Sequence, residues 1–224
     1  MQVNKMNEYY SKRAQEYEWI YHRDDPVRQS EQNKIADVIK ETFRNRNVLE
    51  VACGTGFWTT FLSEVAKSIV AIDNSDEVLK IAQSKHYKSP TYFQKCDAYN
   101  LPFCECSFDG GLVNFWFSHI PKEKIELFLR GFHRILPDRA RVFMADNVFN
   151  EGIGGKLVRE AGNSNTYKIR TIESGEQYKV LKNYYSKEQI VSIFCKEGDI
   201  IEIYFGKCFW YISYELNKKW CDVI

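Results

Sequence analysis

The sequence predicts an α/β protein built on a doubly wound, mostly parallel sheet. Two apolar runs, 48–51 and 68–72, are each followed by a segment whose apolar residues recur at helical spacing. This strand–helix–strand order implies parallel pairing through right-handed crossovers. The carboxyl ends of such strands form a ligand-binding edge, and an acidic or amide residue lies in or directly after each of four predicted strands.

The first unit, 48–59, has an acidic residue and two glycines between a strand and a helix. Glu50 lies in the strand, Gly54 and Gly56 lie in the turn, and Trp58 begins the helical pattern. Glycine permits positive φ angles and lets a ligand approach the N–H groups at the start of a helix. A polar or anionic part of a ligand is therefore expected at this turn.

The second unit supplies another carboxylate. The strand 68–72 is followed directly by Asp73. At this spacing, nucleotide-binding α/β units place an acid against the ribose hydroxyls. Ser75 is a suitable N-cap for the next helix, which extends to about His86. The two units together predict a cofactor that contains a nucleoside, and they leave its identity open.

The remaining elements continue the alternation and end in a hairpin. A third strand leads to Asp97. Hydrophobic periodicity and helix-capping residues identify the elements that follow it. The expected elements are a strand ending at Asn114, a helix from Pro121 to about 136, a strand at 141–146, a helix capped by Ser186–Gln189, and a hairpin of 200–205 and 209–214.

Two segments lie outside this alternation. Residues 1–46 begin with a tyrosine-rich amphipathic stretch and are expected to form an N-terminal helical cover over the domain at 47–224. Within that domain, 149–180 is rich in glycine and long for a connection. It is therefore expected to be a mobile lid or a substrate-recognition insertion.

Composition limits the class of protein. The 224 residues suit one domain, and a formal net charge of +1 does not indicate a nucleic-acid-binding surface. The sequence has no apolar run long enough for a membrane span and no signal peptide, so a soluble cytoplasmic protein is expected. The seven cysteines are expected to be reduced. The pair Cys104 and Cys106 has no partner pair with zinc spacing, so no metal site is expected.

Several motifs then occur in a familiar order. They are Glu50-x-Ala52-x-Gly54-x-Gly56, the acid Asp73, the loop in 93–103 and the strand in 107–114. From about 48 to 147 this order resembles the class I S-adenosylmethionine-dependent methyltransferases. The resemblance implies a Rossmann-like sheet of seven strands whose last strand is antiparallel, and S-adenosyl-L-methionine as cofactor.

The sequence departs from the pattern of that family at two turns. Ala52 stands where the family often has glycine, which is a small change. The segment 137–140, Pro-Asp-Arg-Ala, replaces the usual Pro-Gly-Gly turn before the strand at 141–146. The second departure leaves the geometry of that turn open, but it does not affect the expected cofactor site.

The resemblance also implies roles for individual residues. Asp73 would accept from both ribose hydroxyls, Asp97 from the adenine amino group, and the backbone at 52–54, with Glu50 nearby, would receive the amino-acid part. The Ala98 N–H would meet a ring nitrogen. The candidate cofactor-binding residues are Glu50, Ala52, Cys53, Gly54, Gly56, Trp58, Asp73, Asn74, Asp97, Ala98, Asn114, Tyr10 and Tyr17.

The acceptor side is less defined. After the strand that ends at Asn114, the sequence lacks the Asn-Pro-Pro-Tyr signature of amino-group methylation on nucleic acid or glutamine. Phe115 and Trp116 stand in place of the two prolines. His119 has the side chain whose pKa suits a general base, although a structural role, with the histidine hydrogen-bonded at the start of a helix, is slightly favoured. The candidate substrate-binding residues are Trp116, Tyr21, Tyr167, Arg170 and Tyr178.

The expected function is therefore transfer of a methyl group from S-adenosylmethionine to a small-molecule acceptor by direct in-line displacement. No nucleic-acid or membrane partner is expected, and the protein is expected to be a monomer or homodimer. A nicotinamide-dependent oxidoreductase shares the layout, but it expects a third glycine where this chain has Thr59. A protein that binds the cofactor only as a sensor or interaction partner also remains open.

Overall fold

The computed structural model of the chain describes Tyr9, Arg13 and residues 18–218. The strands are β1 (Asn47–Val51), β2 (Ser68–Asp73), β3 (Thr91–Lys95), β4 (Gly110–Asn114), β5 (Arg141–Asn147), β6 (Leu157–Arg159), β7 (Thr166–Thr171), β8 (Gln177–Leu181), β9 (Gly198–Phe205) and β10 (Phe209–Leu216). The α-helices are α1 (Pro26–Thr42), α2 (Phe57–Leu62), α3 (Asp76–Gln83), α4 (Ile125–Arg134) and α5 (Lys187–Phe194).

Seven strands form the main sheet in the order β3-β2-β1-β4-β5-β10-β9. The pairs from β3 to β5 are parallel, and β10 is antiparallel to both β5 and β9. The strand order reverses beside β1, because β2 and β4 lie on either side of it. This arrangement confirms the predicted seven-stranded sheet with an antiparallel last strand.

Successive residues of the central strands pack on opposite faces of the sheet, as the pleat requires. In β5, Val142 and Met144 belong to the core under α4 and α5, whereas Phe143 and Ala145 belong to the core under α1 and α2. Each of these four side chains is fully buried. Helices therefore cover both faces, and the open part of the sheet is its carboxyl edge.

The starts of the helices follow their capping residues. Ser75 accepts a hydrogen bond from the N–H of Val78 at the start of α3, and Ser186 forms the predicted capping box with Gln189 at the start of α5. Asp25 caps α1 and accepts from the N–H of Arg28. Helix α5 ends at Phe194, and Gly198 begins β9.

The segment 149–180 contains a small antiparallel sheet. Strands β6, β7 and β8 pair in that order, with β7 in the middle. Tyr9 from the N-terminal region packs on this sheet with its ring centroid 5.6 Å from that of Tyr178. Tyr9, Ile172, Tyr178 and Val180 form a separate apolar cluster. The insertion therefore has its own small core, to which an N-terminal residue contributes.

Within residues 18–218, Tyr9 and Arg13, no helix combines the length and the apolar character that crossing a membrane requires. The same residues contain no group of three or more Cys, His, Asp or Glu side chains arranged to hold a metal ion. The six cysteines in this part of the chain are free of disulfide bonds.

Candidate functional site

A pocket of about 290 Å³ lies at the carboxyl edge of the sheet, where β1, β2 and β4 end. It is the place at which the strand order reverses, which is the usual ligand position in open α/β sheets. Most of the candidate cofactor-binding residues come together here. Those that line the pocket are Glu50, Ala52, Cys53, Gly54, Trp58, Asp73, Asn74, Asp97, Ala98 and Asn114.

The turn between β1 and α2 owes its shape to left-handed backbone conformations. Ala52, Gly54 and Gly56 have φ angles of 56°, 55° and 78°. A Cβ on Gly54 would meet no atom within 4 Å, whereas one on Gly56 would lie 2.4 Å from the hydroxyl of Tyr87. The lack of a side chain at Gly54 therefore keeps the pocket open. Gly56 does not line the pocket, and its lack of a side chain lets Tyr87 pack closely against the turn.

Asp73 is fixed against this turn. One carboxylate oxygen accepts from the N–H of Gly54 at 2.9 Å and the other from the N–H of Ser75 at 3.0 Å. Burial raises the pKa of Asp73, and these backbone donors oppose that rise. Because each carboxylate oxygen can accept more than one hydrogen bond, the side chain can still accept from a ligand.

Several buried polar atoms at the bottom of the pocket have no hydrogen-bond partner among the described residues. They are one carboxylate oxygen of Glu50, both amide atoms of Asn114 and the indole nitrogen of Trp58. Burial raises the pKa of Glu50 to about 8, and the charge of Asp73 adds to this effect. Burial of polar atoms without hydrogen-bond partners costs free energy. These four atoms are therefore suited to bind a polar ligand.

A second pocket, of about 130 Å³, adjoins the first. Tyr21, Phe115 and His119 line both pockets. The ring of Tyr21 stacks on Phe57 at a centroid distance of 3.9 Å, and Phe115 stacks on Trp58 at 5.5 Å. Phe115 has a φ angle of 58°, an uncommon conformation for a bulky residue. Aromatic side chains thus form the junction of the two pockets.

Basic side chains predominate among the charged residues that line the second pocket. Within the described part of the chain they are Arg13, Arg23, Arg28, Arg170 and Lys182. Asp25 is the one carboxylate in the same lining. The small sheet therefore contributes to this pocket, because Arg170 lies in β7 and Lys182 directly follows β8.

Lys182 forms a buried ion pair with Asp146 of β5, with 2.9 Å between Nζ and Oδ1. Asp146 also accepts from the N–H of Ser118 at 2.8 Å. Burial alone would raise the pKa of Asp146, but the Lys182 ammonium reverses this effect and holds it below its usual value. The pair joins the small sheet to the main sheet beside the second pocket.

His119 is buried next to this ion pair. Its Nδ1 lies 2.6 Å from the carbonyl oxygen of Leu181, so Nδ1 carries the proton and donates. Burial and the charge of Lys182 hold the pKa of His119 well below its usual value. The imidazole is therefore neutral near pH 7 and has little basicity for proton removal.

Comparison with known proteins supports one family. Residues 48–139 match the model of a family described as a methyltransferase domain. An uncharacterised methyltransferase of Bacillus velezensis is 24% identical over 161 residues, which are 70% of this chain and 75% of that protein. The demethylmenaquinone methyltransferase of Lactiplantibacillus plantarum is 30% identical over 44% of each chain.

Solved structures share the fold over nearly the whole chain. The DhpI–SAH complex superposes with a TM-score of 0.76 at 21% identity and covers 96% of this chain and 97% of that one. The 1,6-didemethyltoxoflavin-N1-methyltransferase of Burkholderia thailandensis has a TM-score of 0.65 at 14% identity, with 96% and 88% covered. The predicted resemblance to the class I S-adenosylmethionine-dependent methyltransferases is confirmed. The two DhpI structures are complexes with SAH and with SAM.

Some candidate residues of this methyltransferase lie away from both pockets. Tyr167 is buried and accepts from Asn163 at its hydroxyl, and Tyr178 packs with Tyr9 in the core of the small sheet. Both were expected to contact a ligand, but their side chains serve the packing of the insertion. Tyr10 and Tyr17 lie outside the described residues.

The other acceptor-side candidates lie at the pockets. Trp116 lines the first pocket, Arg170 lines the second and Tyr21 lines both.

Arg28 and Lys182 were not predicted from the sequence. A signal was present for Lys182, because it is a polar residue directly after the run 178–181, in which tyrosine, valine and leucine favour a strand, as Asp73 directly follows the strand 68–72. Arg28 is in the first turn of α1, and only the tertiary packing of that helix brings it to the second pocket.

Proposed function

We propose that the methyltransferase transfers the methyl group to a small-molecule acceptor that binds in the second pocket, by direct in-line displacement. The observation that supports this most strongly is the junction at Tyr21, Phe115 and His119, which line both pockets. An acceptor in one pocket and a cofactor in the other would meet there. The modest volume of the second pocket suits a small molecule better than a macromolecular chain.

The proposed cofactor contacts follow from the lining of the first pocket. Asp73 accepts from the ribose hydroxyls, and Asp97 and Ala98 meet the adenine. Glu50 and Asn114 receive the amino-acid part, because their unpaired buried atoms suit its ammonium and carboxylate groups. Asn74 and Trp58 complete the wall of the pocket.

The sulfonium of bound S-adenosylmethionine supplies an electrophilic methyl group, so the chain needs mainly to position the acceptor and exclude water. Tyr21, Trp58 and Phe115 provide an apolar enclosure at the junction. The neutral His119, fixed by its bond to the Leu181 carbonyl, orients the acceptor rather than removing a proton.

We further propose that 149–180 is a substrate-recognition insertion of the domain at 47–224, with residues 1–46 as its N-terminal cover. Support comes from Gly154 and Arg170 of this segment, which line the second pocket, and from Tyr9, which packs on the small sheet and lines the same pocket. The Burkholderia structure, which holds a small molecule together with S-adenosylhomocysteine, is consistent with a small-molecule acceptor here.

Turnover tests this proposal. The full chain is incubated with S-adenosylmethionine and a panel of small molecules, and S-adenosylhomocysteine release is measured. We expect release with at least one small acceptor, and loss of that release in Phe115→Ala at a temperature where thermal unfolding shows that the variant is still folded. Cofactor binding with no release over a wide panel that includes anionic, neutral and basic acceptors would contradict catalysis and favour a sensor.

A further inference from the structure

We infer that the acceptor is a small oxyanion, whose carboxylate or phosphate-type group binds between Arg28 and Arg170 beside Lys182. This inference deepens the proposed function and depends on it, because it concerns the acceptor that the second pocket would bind. Several charged groups surround that pocket, and only some of them are paired within the protein.

Arg28 is the clearest unsatisfied cation. Its Nε is buried and has no hydrogen-bond partner among the described residues. Its guanidinium lies over the ring of Phe209, with the central carbon 4.6 Å from the ring centroid, which restrains its position. Burial and the charge of Arg23 lower the pKa of Arg28. A partly buried guanidinium whose buried Nε–H donor is unused is suited to bind an anion.

Arg170 lines the same pocket and comes from a different element. It belongs to β7, and in the described part of the chain it forms no ion pair with a carboxylate. Its charge acts on His119, Lys182 and Tyr184, so these groups lie close together. Arg28 comes from α1 and Arg170 from the small sheet, so an anion between them would bridge two separate elements.

Among the described residues, neither arginine forms an ion pair with a nearby carboxylate. Asp146 is engaged by Lys182 and by the N–H groups of Ser118 and Asn147. The side chain of Asp25 caps α1 by accepting from the backbone N–H of Arg28, and its single charge offsets only part of the positive charge around Arg28. The described lining therefore keeps an excess of positive charge, which favours an anionic ligand and disfavours a cationic one.

The carboxylate of the cofactor does not account for this excess. One carboxylate forms a bidentate pair with one guanidinium, whereas Arg28 and Arg170 approach from different elements. A donor suited to that carboxylate is also present in the first pocket, where the amide nitrogen of Asn114 lacks a partner.

An oxyanion also explains how the reaction proceeds without a strong base. An ionised acceptor oxygen donates a lone pair to form the new C–O bond while the C–S bond of the cofactor breaks. The sulfur keeps the electron pair of the broken bond, and the negative oxygen and the positive sulfur both become neutral. No proton moves in this step, which agrees with the neutral, hydrogen-bonded state of His119.

Anion binding to the cofactor-loaded protein tests the inference first. The full chain is saturated with S-adenosylhomocysteine, and inorganic phosphate and acetate are titrated calorimetrically at constant ionic strength. We expect saturable binding of one of them, and the preferred anion distinguishes a phosphate-type from a carboxylate acceptor. Absence of binding by both would overturn the inference.

The matched variants are Arg28→Gln and Arg170→Gln, with Arg159→Gln as control. Arg159 is an exposed residue of β6 outside both pockets. We expect each pocket variant to weaken anion binding by about 10- to 100-fold, the usual effect of removing a charged hydrogen bond, and the control to leave it unchanged. Equal binding in all three variants would overturn the inference.

Matched acceptors provide the kinetic test. Carboxylic acids and phosphates are compared with the corresponding amides, alcohols and amines, and S-adenosylhomocysteine release is measured. We expect turnover of anionic members alone, with a raised KM and little change in kcat in Arg170→Gln. Turnover of neutral acceptors alone would overturn the inference and leave the methyltransferase proposal intact. Failure to bind S-adenosylhomocysteine at all would instead contradict the proposed function.

Discussion

Glu50 is the residue at which stability and binding oppose each other most clearly. It is almost fully buried, one of its oxygens has no partner, and burial raises its pKa to about 8. A carboxyl group in this state is a poor choice for stability alone, because its charged form is not solvated. Its position is understandable if the ammonium of a ligand completes the site, since the positive charge would favour the ionised carboxylate.

We predict that Glu50→Gln raises stability and lowers cofactor affinity. In the unfolded chain Glu50 ionises near pH 4.5, but the folded protein retains the proton up to about pH 8. Stability of the wild type therefore falls as pH rises through this window, and the variant avoids that loss. Because each pKa unit corresponds to about 1.4 kcal/mol, we expect a gain on the order of 4 kcal/mol at pH 8 and of less than about 1 kcal/mol at pH 5.

Thermal unfolding without cofactor at the two pH values measures this effect, and calorimetry measures S-adenosylmethionine binding, which should weaken about tenfold or more. Glu41→Gln, a change at an exposed residue of α1, is the control. A variant with unchanged affinity, or with the same stability difference at both pH values, would show that Glu50 does not act in this way.

Several non-glycine residues adopt left-handed backbone conformations that the sequence did not predict. Ala52, Phe115 and Arg139 all have positive φ angles although none is glycine. The Ala52 and Arg139 conformations show that the turns keep the geometry usual for glycine despite the two departures from the family pattern. Such conformations cost about 1 kcal/mol or more and are set by the surrounding tertiary contacts. Local sequence preference therefore could not predict them.

At the scale of elements, the ion pair between Asp146 and Lys182 is the main polar link between the two sheets. Asp146 lies in β5 of the main sheet, and Lys182 directly follows β8 of the small sheet. Lys182 also donates to the hydroxyl of Ser118 at 2.6 Å. Both charged side chains are almost inaccessible to solvent, so loss of either partner leaves a buried charge.

We predict that Lys182→Met destabilises the protein by about 3–5 kcal/mol, because the Asp146 carboxylate is left without its counter-ion. The double variant Asp146→Asn with Lys182→Met should recover part of this loss. Urea denaturation of the single and double variants gives the coupling energy. Lys179→Met removes an exposed ion pair with Glu160 in the same small sheet, so it should cost less than about 1 kcal/mol. Equal losses in the two lysine variants would refute this account.

The elements with strong local signals were predictable, and the insertion was not. Alternating strands and helices with Ser75 and Ser186 as caps followed from pattern and capping chemistry. In 149–180 the strands are short, and the small core on which they pack includes Tyr9 from a distant part of the chain. A single sequence carries little information about such contacts, so Tyr167 and Tyr178 were assigned to a ligand although their rings pack internally.

At the scale of the molecule, parallel strands explain why distant residues meet. Glu50, Asp73 and Asn114 are separated along the chain, yet each lies in a strand whose carboxyl end faces the same pocket. Asp97, which follows β3, joins them there. This convergence follows from the order of elements and was predictable. The second pocket was not, because it needs α1, the N-terminal region and the small sheet in their final positions.

Calorimetric titration with S-adenosylhomocysteine tests the central claim, that this edge of the sheet binds the adenosine-linked cofactor. We predict binding of one molecule per chain, a loss of at least about tenfold in affinity in Asp73→Ala, and no change in Asp76→Ala, whose exposed carboxylate pairs with Lys95 outside the pocket. Absence of binding to the folded wild type, or equal affinity in Asp73→Ala, would contradict the claim.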